Sequence, residues 1–255
     1  MEKMKTKGEN ENIQSITLPI FETGENMTIG VKEIFYDKKS EFQDIMVIDT
    51  KEFGRCLIIN KCMQTAESDH HLYDKEILTL LRPEDRSLAI LGGGDGYVAQ
   101  EALTQNPQLQ IDLAELDPEI IYCAKEFLEQ KVFDDPRLHL HIGDGLVYME
   151  NAVKEGKELY DGLVCDFTGE PITEEEKAEF TEFYRKVIAL THKVVKTGGW
   201  VAFQAGDTDV DRDKYVDAAL LLQGIFEEYF TDVTRSDIMI PSYGERDSFL
   251  FGIKK

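Results

Sequence analysis

Residues 88–96, Leu-Ala-Ile-Leu-Gly-Gly-Gly-Asp-Gly, run an apolar strand into a glycine turn, and Tyr97 to Leu103 continues as a helix. A strand, a glycine turn and a helix in that order constrain the fold to one whose turn presents backbone N–H groups to a ligand, with no Cβ in the way. Such N–H groups attract negative charge. Asp95, inside the same turn, spoils a cradle for phosphate or carboxylate. The residues therefore point to a nucleoside ligand whose group near Asp95 is cationic.

The rest of the chain supplies the frame for that turn. Residues 1–13 are polar and are expected to be disordered. Residues 14–66 read as a small antiparallel β domain, with strands over Met27–Tyr36, Phe42–Asp49 and Arg55–Ile59 separated by polar turns. Residues 67–255 read as an α/β catalytic domain. A helix is predicted over Ser68–Leu81, and strands then alternate with helices. The strands are Ser87–Leu91, Gln110–Ala114, Leu138–Ile142, Gly162–Asp166 and Trp200–Gln204. The helices are Tyr97–Gln105, Pro118–Glu129, Gly145–Lys154, Thr173–Val195 and Asp213–Glu228. Thr173-x-x-Glu176 has capping-box form, and Gly198-Gly199 is expected to end that helix. Val233–Ile238 and Ser248–Ile253 have no long helix between them and suggest an antiparallel edge. The alternation predicts a Rossmann-like, doubly wound parallel sheet with ligands at the carboxyl ends of its strands.

Charge narrows the partners. Lys and Arg number 28 against 50 Asp and Glu, a formal charge of −22. This surface repels nucleic acid and anionic lipid and gathers cations. The cysteines, at 56, 62, 123 and 165, lie in apolar runs without zinc-type spacing, as expected of buried reduced thiols. No apolar run is long enough to span a bilayer, so the expected location is the cytoplasm and no membrane partner is expected.

Acids then recur at one place in the pattern. Gln110–Ala114 runs into Glu115-Leu-Asp117, at the distance past the glycine turn where a ribose-binding acid belongs. Leu138–Ile142 runs into Gly143-Asp144-Gly145, where Asp144 can take the exocyclic amine of adenine. Gly162–Asp166 ends at Asp166. A single acid there reads as a helix cap, but Asp95, Glu115, Asp144 and Asp166 end four consecutive strands, and with the turn they indicate an adenosine ligand.

At these residues the chain resembles the spermidine and spermine synthase family, the aminopropyltransferases. The resemblance runs from about Glu41 to the C-terminus, through Ser40-Glu-Phe-Gln-Asp-Ile-Met-Val, Ala66-Glu-Ser-Asp69 to Tyr73, Leu91-Gly-Gly-Gly-Asp-Gly96, Ala114-Glu-Leu-Asp117, Gly143-Asp-Gly145, Asp166, Gln204 and Ile240-Pro-Ser-Tyr243. It implies a Rossmann-like sheet of the S-adenosylmethionine-dependent methyltransferase type. It implies no tightly bound cofactor and no metal, with decarboxylated S-adenosylmethionine as co-substrate. Asp166 and Tyr73 become the catalytic pair. Gln43, Asp74, Gly92, Gly94, Asp95, Glu115, Asp144 and Gly145 become the donor site. Tyr73, Asp95, Asp166, Gln204, Tyr243 and Glu245 become the acceptor site. Relatives form dimers or tetramers, so a homodimer or homotetramer is expected.

Three features depart from the spermidine synthase pattern. Asp166-Phe-Thr-Gly-Glu-Pro171 is closer to the spermine synthase form and lacks the usual second acid. Glu245 also resembles a spermine synthase feature. Asp74 stands where His or Gln is usual. They favour spermidine as acceptor, giving spermine or thermospermine, over putrescine. The rival readings are a small-molecule methyltransferase, which Asp95 opposes, and a non-catalytic polyamine-binding protein. His70 and His71 read as a helix-surface pair, Trp200 as packing, Phe180 to Tyr184 as core with one ring near the pocket, and Glu174 to Glu176 as a solvated face.

Overall fold

The structure, a computed structural model, describes residues 14–20, 24–154, 159–167, 172–208 and 213–255. The expectation of disorder over residues 1–13, and the part of the Asp166 motif at residues 168–171, lie outside them.

Alternating buried and exposed positions fold the N-terminal part into an antiparallel meander, β1 (Gln14–Ile20), β2 (Glu25–Lys39), β3 (Asp44–Thr50), β4 (Gly54–Ile59) and β5 (Cys62–Ala66), in that order. Pro19 is tolerated because β1 is an edge, where a missing N–H leaves no ladder gap. The strands expected from sequence start at Met27 and stop at Ile59, so they miss both β1 and β5. Ile59 pairs with Cys62 across the two-residue turn Asn60-Lys61, whose φ values are 49° and 70°. That hairpin geometry usually announces itself as Asn-Gly, and Cys62-Met-Gln-Thr-Ala carries little β-branched character.

The second sheet contains β6 (Ser87–Gly92), β7 (Gln110–Glu115), β8 (Leu138–Ile142), β9 (Tyr160–Asp166), β10 (Val195–Asp207), β11 (Thr231–Ile240) and β12 (Glu245–Ile253), in the order β11-β12-β10-β9-β6-β7-β8. β6 to β10 pair in parallel, while β12 runs antiparallel between β10 and β11. The antiparallel edge and the alternation are as the pattern predicts. The chain winds outward from β6 in one direction and from β9 in the other, so the sheet has its switch point between those two strands, where ligands of open α/β sheets bind.

Helices cover both faces. Residues of α4 (Gly145–Lys154), α5 (Lys177–Val194) and α6 (Ala218–Tyr229) share one core with Leu91, Leu163, Val201 and Phe203. Residues of α1 (His70–Ile77) and α2 (Tyr97–Gln105) share the opposite core with Ile90, Leu113, Trp200 and Phe249. A third core joins the two sheets: Ile120, Cys123, Ala124 and Leu128, on and just after α3 (Pro118–Phe127), pack with Tyr36, Val47 and Leu57. The meander is thereby fixed over the carboxyl edge of the large sheet. No helix among the described residues is long and apolar enough to cross a membrane.

Several helix boundaries differ from expectation: α1 covers His70–Ile77 and not Ser68–Leu81, α3 ends at Phe127 and not Glu129, and α6 starts at Ala218 and not Asp213. α5 starts at Lys177: Glu176 reaches back to the Thr173 N–H at 2.9 Å, but the Thr173 hydroxyl donates to that same carboxylate at 2.8 Å and caps no helix N–H. Gly198-Gly199 does not end the helix; it lies inside β10, where a Cβ on Gly199 would stand 2.7 Å from the Asp161 carbonyl oxygen. Close strand approach, not helix termination, requires that glycine. Trp200 is a packing residue, fully buried, with its Nε1 donating to Asp85 at 2.8 Å.

Candidate active site

The glycine turn after β6 is built to let carboxylates in. Gly92 has φ +83°, and a Cβ there would meet the Asp166 carbonyl oxygen at 2.0 Å; a Cβ on Gly94 would meet Glu115 Oε2 at 2.6 Å. The glycines therefore admit neighbouring strand ends to the turn as well as any ligand. Asp95 accepts from the Tyr97 N–H at 3.1 Å, which tethers it at the start of α2 while its carboxyl group faces the cleft.

One continuous cavity of about 720 Å³ opens here, between the carboxyl edge of the large sheet and the meander. It brings together every site residue expected from the sequence: Gln43, Tyr73, Asp74, Gly92, Gly94, Asp95, Glu115, Asp144, Gly145, Asp166, Gln204, Tyr243 and Glu245. Its described walls carry nine carboxyl groups, from Asp74, Asp95, Glu115, Asp117, Asp144, Asp166, Glu176, Glu245 and Asp247, and no lysine or arginine.

On the β7 side, Glu115 is buried and accepts from the Asp117 N–H at 2.8 Å. Asp117 is 1% exposed, caps α3 through the Glu119 N–H, and accepts from Ser40 Oγ at 2.6 Å and Gln43 Nε2 at 3.1 Å. Gln43 is thus drawn from the meander to the acids of the large sheet. Asp144 is exposed and accepts from the Leu146 N–H at 2.7 Å, so it is a helix cap and a cavity wall at once.

At the switch point the Tyr73 hydroxyl donates to Asp166. Burial pushes the Asp166 carboxyl up to about 6, against the Tyr73 bond and with the Asp74 charge. Burial also raises Glu115 to about 7, helped by Asp117 and Asp166, and holds Asp95 well above the usual carboxylate range, with Asp166 and Asp74 adding to it. Each of these directions has one cause, negative groups crowded where water is scarce. A bound cation reverses it.

The cavity wall also includes residues that the sequence does not mark as site residues, His70, Asp117, Asp247 and Glu176 among them. His70 is half-buried, not part of a surface pair: its Nδ1 is 2.6 Å from Asp74 Oδ2 and its ring stacks on Tyr97 at 3.9 Å. His71 alone is exposed. The i, i+4 spacing of His70 and Asp74 was the available signal. Asp117 sits inside a motif that was read for its neighbour Glu115. Asp247 had no local signal; it reaches the cavity because β12 inserts beside β10. Glu176 also lines the cavity, as do Phe180, Phe183 and Tyr184, so the acidic run is not wholly a solvated face and more than one ring of the aromatic run reaches the pocket. Tyr243 lines it while its hydroxyl donates to the Gln64 carbonyl oxygen, tying the two sheets together. All four cysteines are free thiols, three of them buried and Cys62 half-buried.

A sheet of this order with an acid-lined cleft at its switch point defines a Rossmann-like fold of the methyltransferase type whose cleft favours positive charge. The chain belongs to the spermine/spermidine synthase family: the spermine/spermidine synthase domain matches residues 74–254 and the spermidine synthase tetramerisation domain residues 19–67. A polyamine aminopropyltransferase of Pyrobaculum aerophilum is 30% identical over 90% of this chain and 78% of its own. Spermidine synthase 1 of Hyoscyamus niger is 31% identical over 71% of this chain and 57% of its own. The crystal structure of spermidine synthase from Thermotoga maritima superimposes with a TM-score of 0.78 at 20% identity, covering 99% of this chain and 82% of that one, a likeness of fold.

Proposed function

We propose that this aminopropyltransferase takes spermidine as its favoured acceptor, forming spermine or thermospermine and releasing methylthioadenosine. The donor of the family, decarboxylated S-adenosylmethionine, carries a sulfonium and a tail ammonium. The observation that supports the reading is the cavity wall of nine carboxyl groups without a lysine or arginine among the described residues. Such a wall selects positive charge on donor and acceptor alike.

In this reading Glu115 takes the ribose hydroxyls, Asp144 and Gly145 the adenine edge, and Gln43 the nucleoside from the meander. Asp95 and Asp74 receive the tail ammonium, against which an S-adenosylmethionine carboxylate would be repelled. The acceptor nitrogen attacks the aminopropyl carbon next to sulfur: the C–N bond forms as the C–S electron pair passes to sulfur, which leaves neutral. The proton lost by the nitrogen goes to Asp166, whose carboxyl, raised to about 6 by burial, lies nearer the working pH than an exposed one. Tyr73 holds Asp166 in place. Gln204, Tyr243 and Glu245 receive the remainder of the acceptor, and the cavity continues to Leu18, Pro19, Met27 and Met63 of the meander, an apolar wall suited to methylene segments. The match of residues 19–67 to a tetramerisation domain supports a homodimer or homotetramer.

The test is incubation with decarboxylated S-adenosylmethionine and, separately, putrescine, agmatine, cadaverine and spermidine, with nucleoside and amine products identified by mass spectrometry. Methylthioadenosine should appear, fastest with spermidine. A higher kcat/KM with putrescine would overturn the acceptor assignment. S-adenosylhomocysteine formed from intact S-adenosylmethionine, without methylthioadenosine from the decarboxylated donor, would overturn the reaction.

A further inference from the structure

Asp74 is 3% exposed and lines the cavity with Asp95, close enough that its charge helps to hold the Asp95 carboxyl high. Positions i and i+4 face each other on a helix, and on α1 they bring His70 Nδ1 to 2.6 Å from Asp74 Oδ2. In the charged form that can hold an ammonium, Asp74 only accepts hydrogen bonds, so Nδ1 carries the hydrogen and donates it. Burial raises the Asp74 carboxyl, and the bond from His70 is the largest influence against that rise. The His70 ring is fixed in turn. It stacks on Tyr97, with centroids 3.9 Å apart and planes 24° apart, and Tyr97 is buried with Ile120 and Cys123 in the core between the sheets. The Tyr97 N–H donates to Asp95. One residue at the start of α2 therefore anchors both acids, Asp95 through its backbone and Asp74 through the ring stacked on its own.

We propose that His70 is a positioning residue: held against Tyr97, it aims the Asp74 carboxylate at the ammonium on the donor's tail, so that two oriented acids grip the tail and not one. The inference rests on the aminopropyl-transfer reading and deepens it. His70 takes no proton in the transfer, and its effect passes through Asp74. A neutral imidazole suits this place better than a lysine would. It offers one N–H to the carboxylate without a fixed positive charge that would compete with the ammonium.

Calorimetry on the full chain without acceptor tests this. The probes are decarboxylated S-adenosylmethionine and methylthioadenosine, which lacks the aminopropyl tail. His70→Phe keeps a ring on Tyr97 and removes the donor, whereas His70→Asn gives up the stack and keeps an N–H at the place of Nδ1. His70→Phe should weaken the decarboxylated donor by roughly ten- to a hundredfold, the range of one charge-assisted hydrogen bond. Methylthioadenosine should bind both variants as it binds the parent. His70→Asn should retain more donor affinity than His70→Phe. In an Asp74→Asn background His70→Phe should cost nothing further, because the group on which His70 acts is already gone. Unchanged donor affinity in His70→Phe would overturn the proposal, and so would losses that add in the double variant. An equal loss of methylthioadenosine would assign His70 to the fold and overturn it too. A parent that binds the decarboxylated donor more tightly than methylthioadenosine, with His70→Phe keeping the same preference, would sink this inference alone. A parent that gains no affinity from the tail would sink the functional reading with it.

Discussion

Asp166 combines two demands that conflict in solution. In the proposed reaction it attracts an ammonium and accepts a proton from it. Burial among other acids pushes its carboxyl up to about 6, while the Tyr73 hydroxyl keeps it oriented and partly offsets that rise. Asp166→Asn preserves the shape and the contact with Tyr73 but removes the proton acceptor. Turnover should fall by about 100- to 10,000-fold, the range for general-base catalysis, while methylthioadenosine affinity measured by calorimetry changes little. Parallel loss of both would make the residue structural. The place of Asp166 in the cavity wall is legible in the sequence because a strand-ending acid is a local pattern. His70 is not, since a histidine beside another histidine on a short helix looks the same whether its ring meets water or, as here, the Tyr97 ring.

The turn between β6 and α2 shows how one element serves both fold and site. Its glycines were read as clearance for a ligand, and the structure adds that they are clearance for Glu115 and Asp166. Gly94→Ala places a Cβ 2.6 Å from Oε2 of Glu115, a buried carboxyl group whose other oxygen, Oε1, accepts from the Asp117 N–H. Overpacking of this kind costs about 1–3 kcal/mol, and Glu115 must swing away from its place in the cavity wall, where the proposed function has it take the ribose. Thermal unfolding should occur at lower temperature, and methylthioadenosine affinity should fall in the same variant. An unchanged melting temperature with unchanged affinity would contradict the packing. At this scale most elements were legible, because periodicity and turn residues are local. β1, β5 and the glycine pair inside β10 were not: β5 depends on a left-handed Asn60-Lys61 turn, and the glycine pair on the approach of Asp161 from another strand.

Across the whole molecule the net charge of −22 has a concentrated counterpart in the nine acids of one cavity. Raised carboxyl groups bind protons more tightly folded than unfolded. Their contribution to stability is therefore present below the unfolded pKa and lost as pH rises through the folded one. For Asp166 that window runs from the ordinary 3.8 to about 6, and for Glu115 from 4.5 to about 7. Without ligand, Asp166→Asn should be more stable than the parent at pH 8, by on the order of 2–3 kcal/mol if the full shift is relieved. The difference should shrink as pH falls towards about 4. Denaturant melts of both proteins across that range check the sign. A variant less stable than its parent at pH 8, or a gap that widens on acidification, would refute the electrostatic account.

The sequence alone determined the strand–helix alternation, the glycine turn and the acids at four strand ends, because each is written within a few consecutive residues and follows from backbone geometry. Only the tertiary structure decided which distant groups meet: His70 with Tyr97, Gln43 with Asp117, Gln204 with Asp247, and the meander over the cleft. Those contacts depend on strand order, above all on the insertion of β12 between β10 and β11. Strand order is set by burial of both faces of the sheet at once, a condition that no short stretch of residues carries.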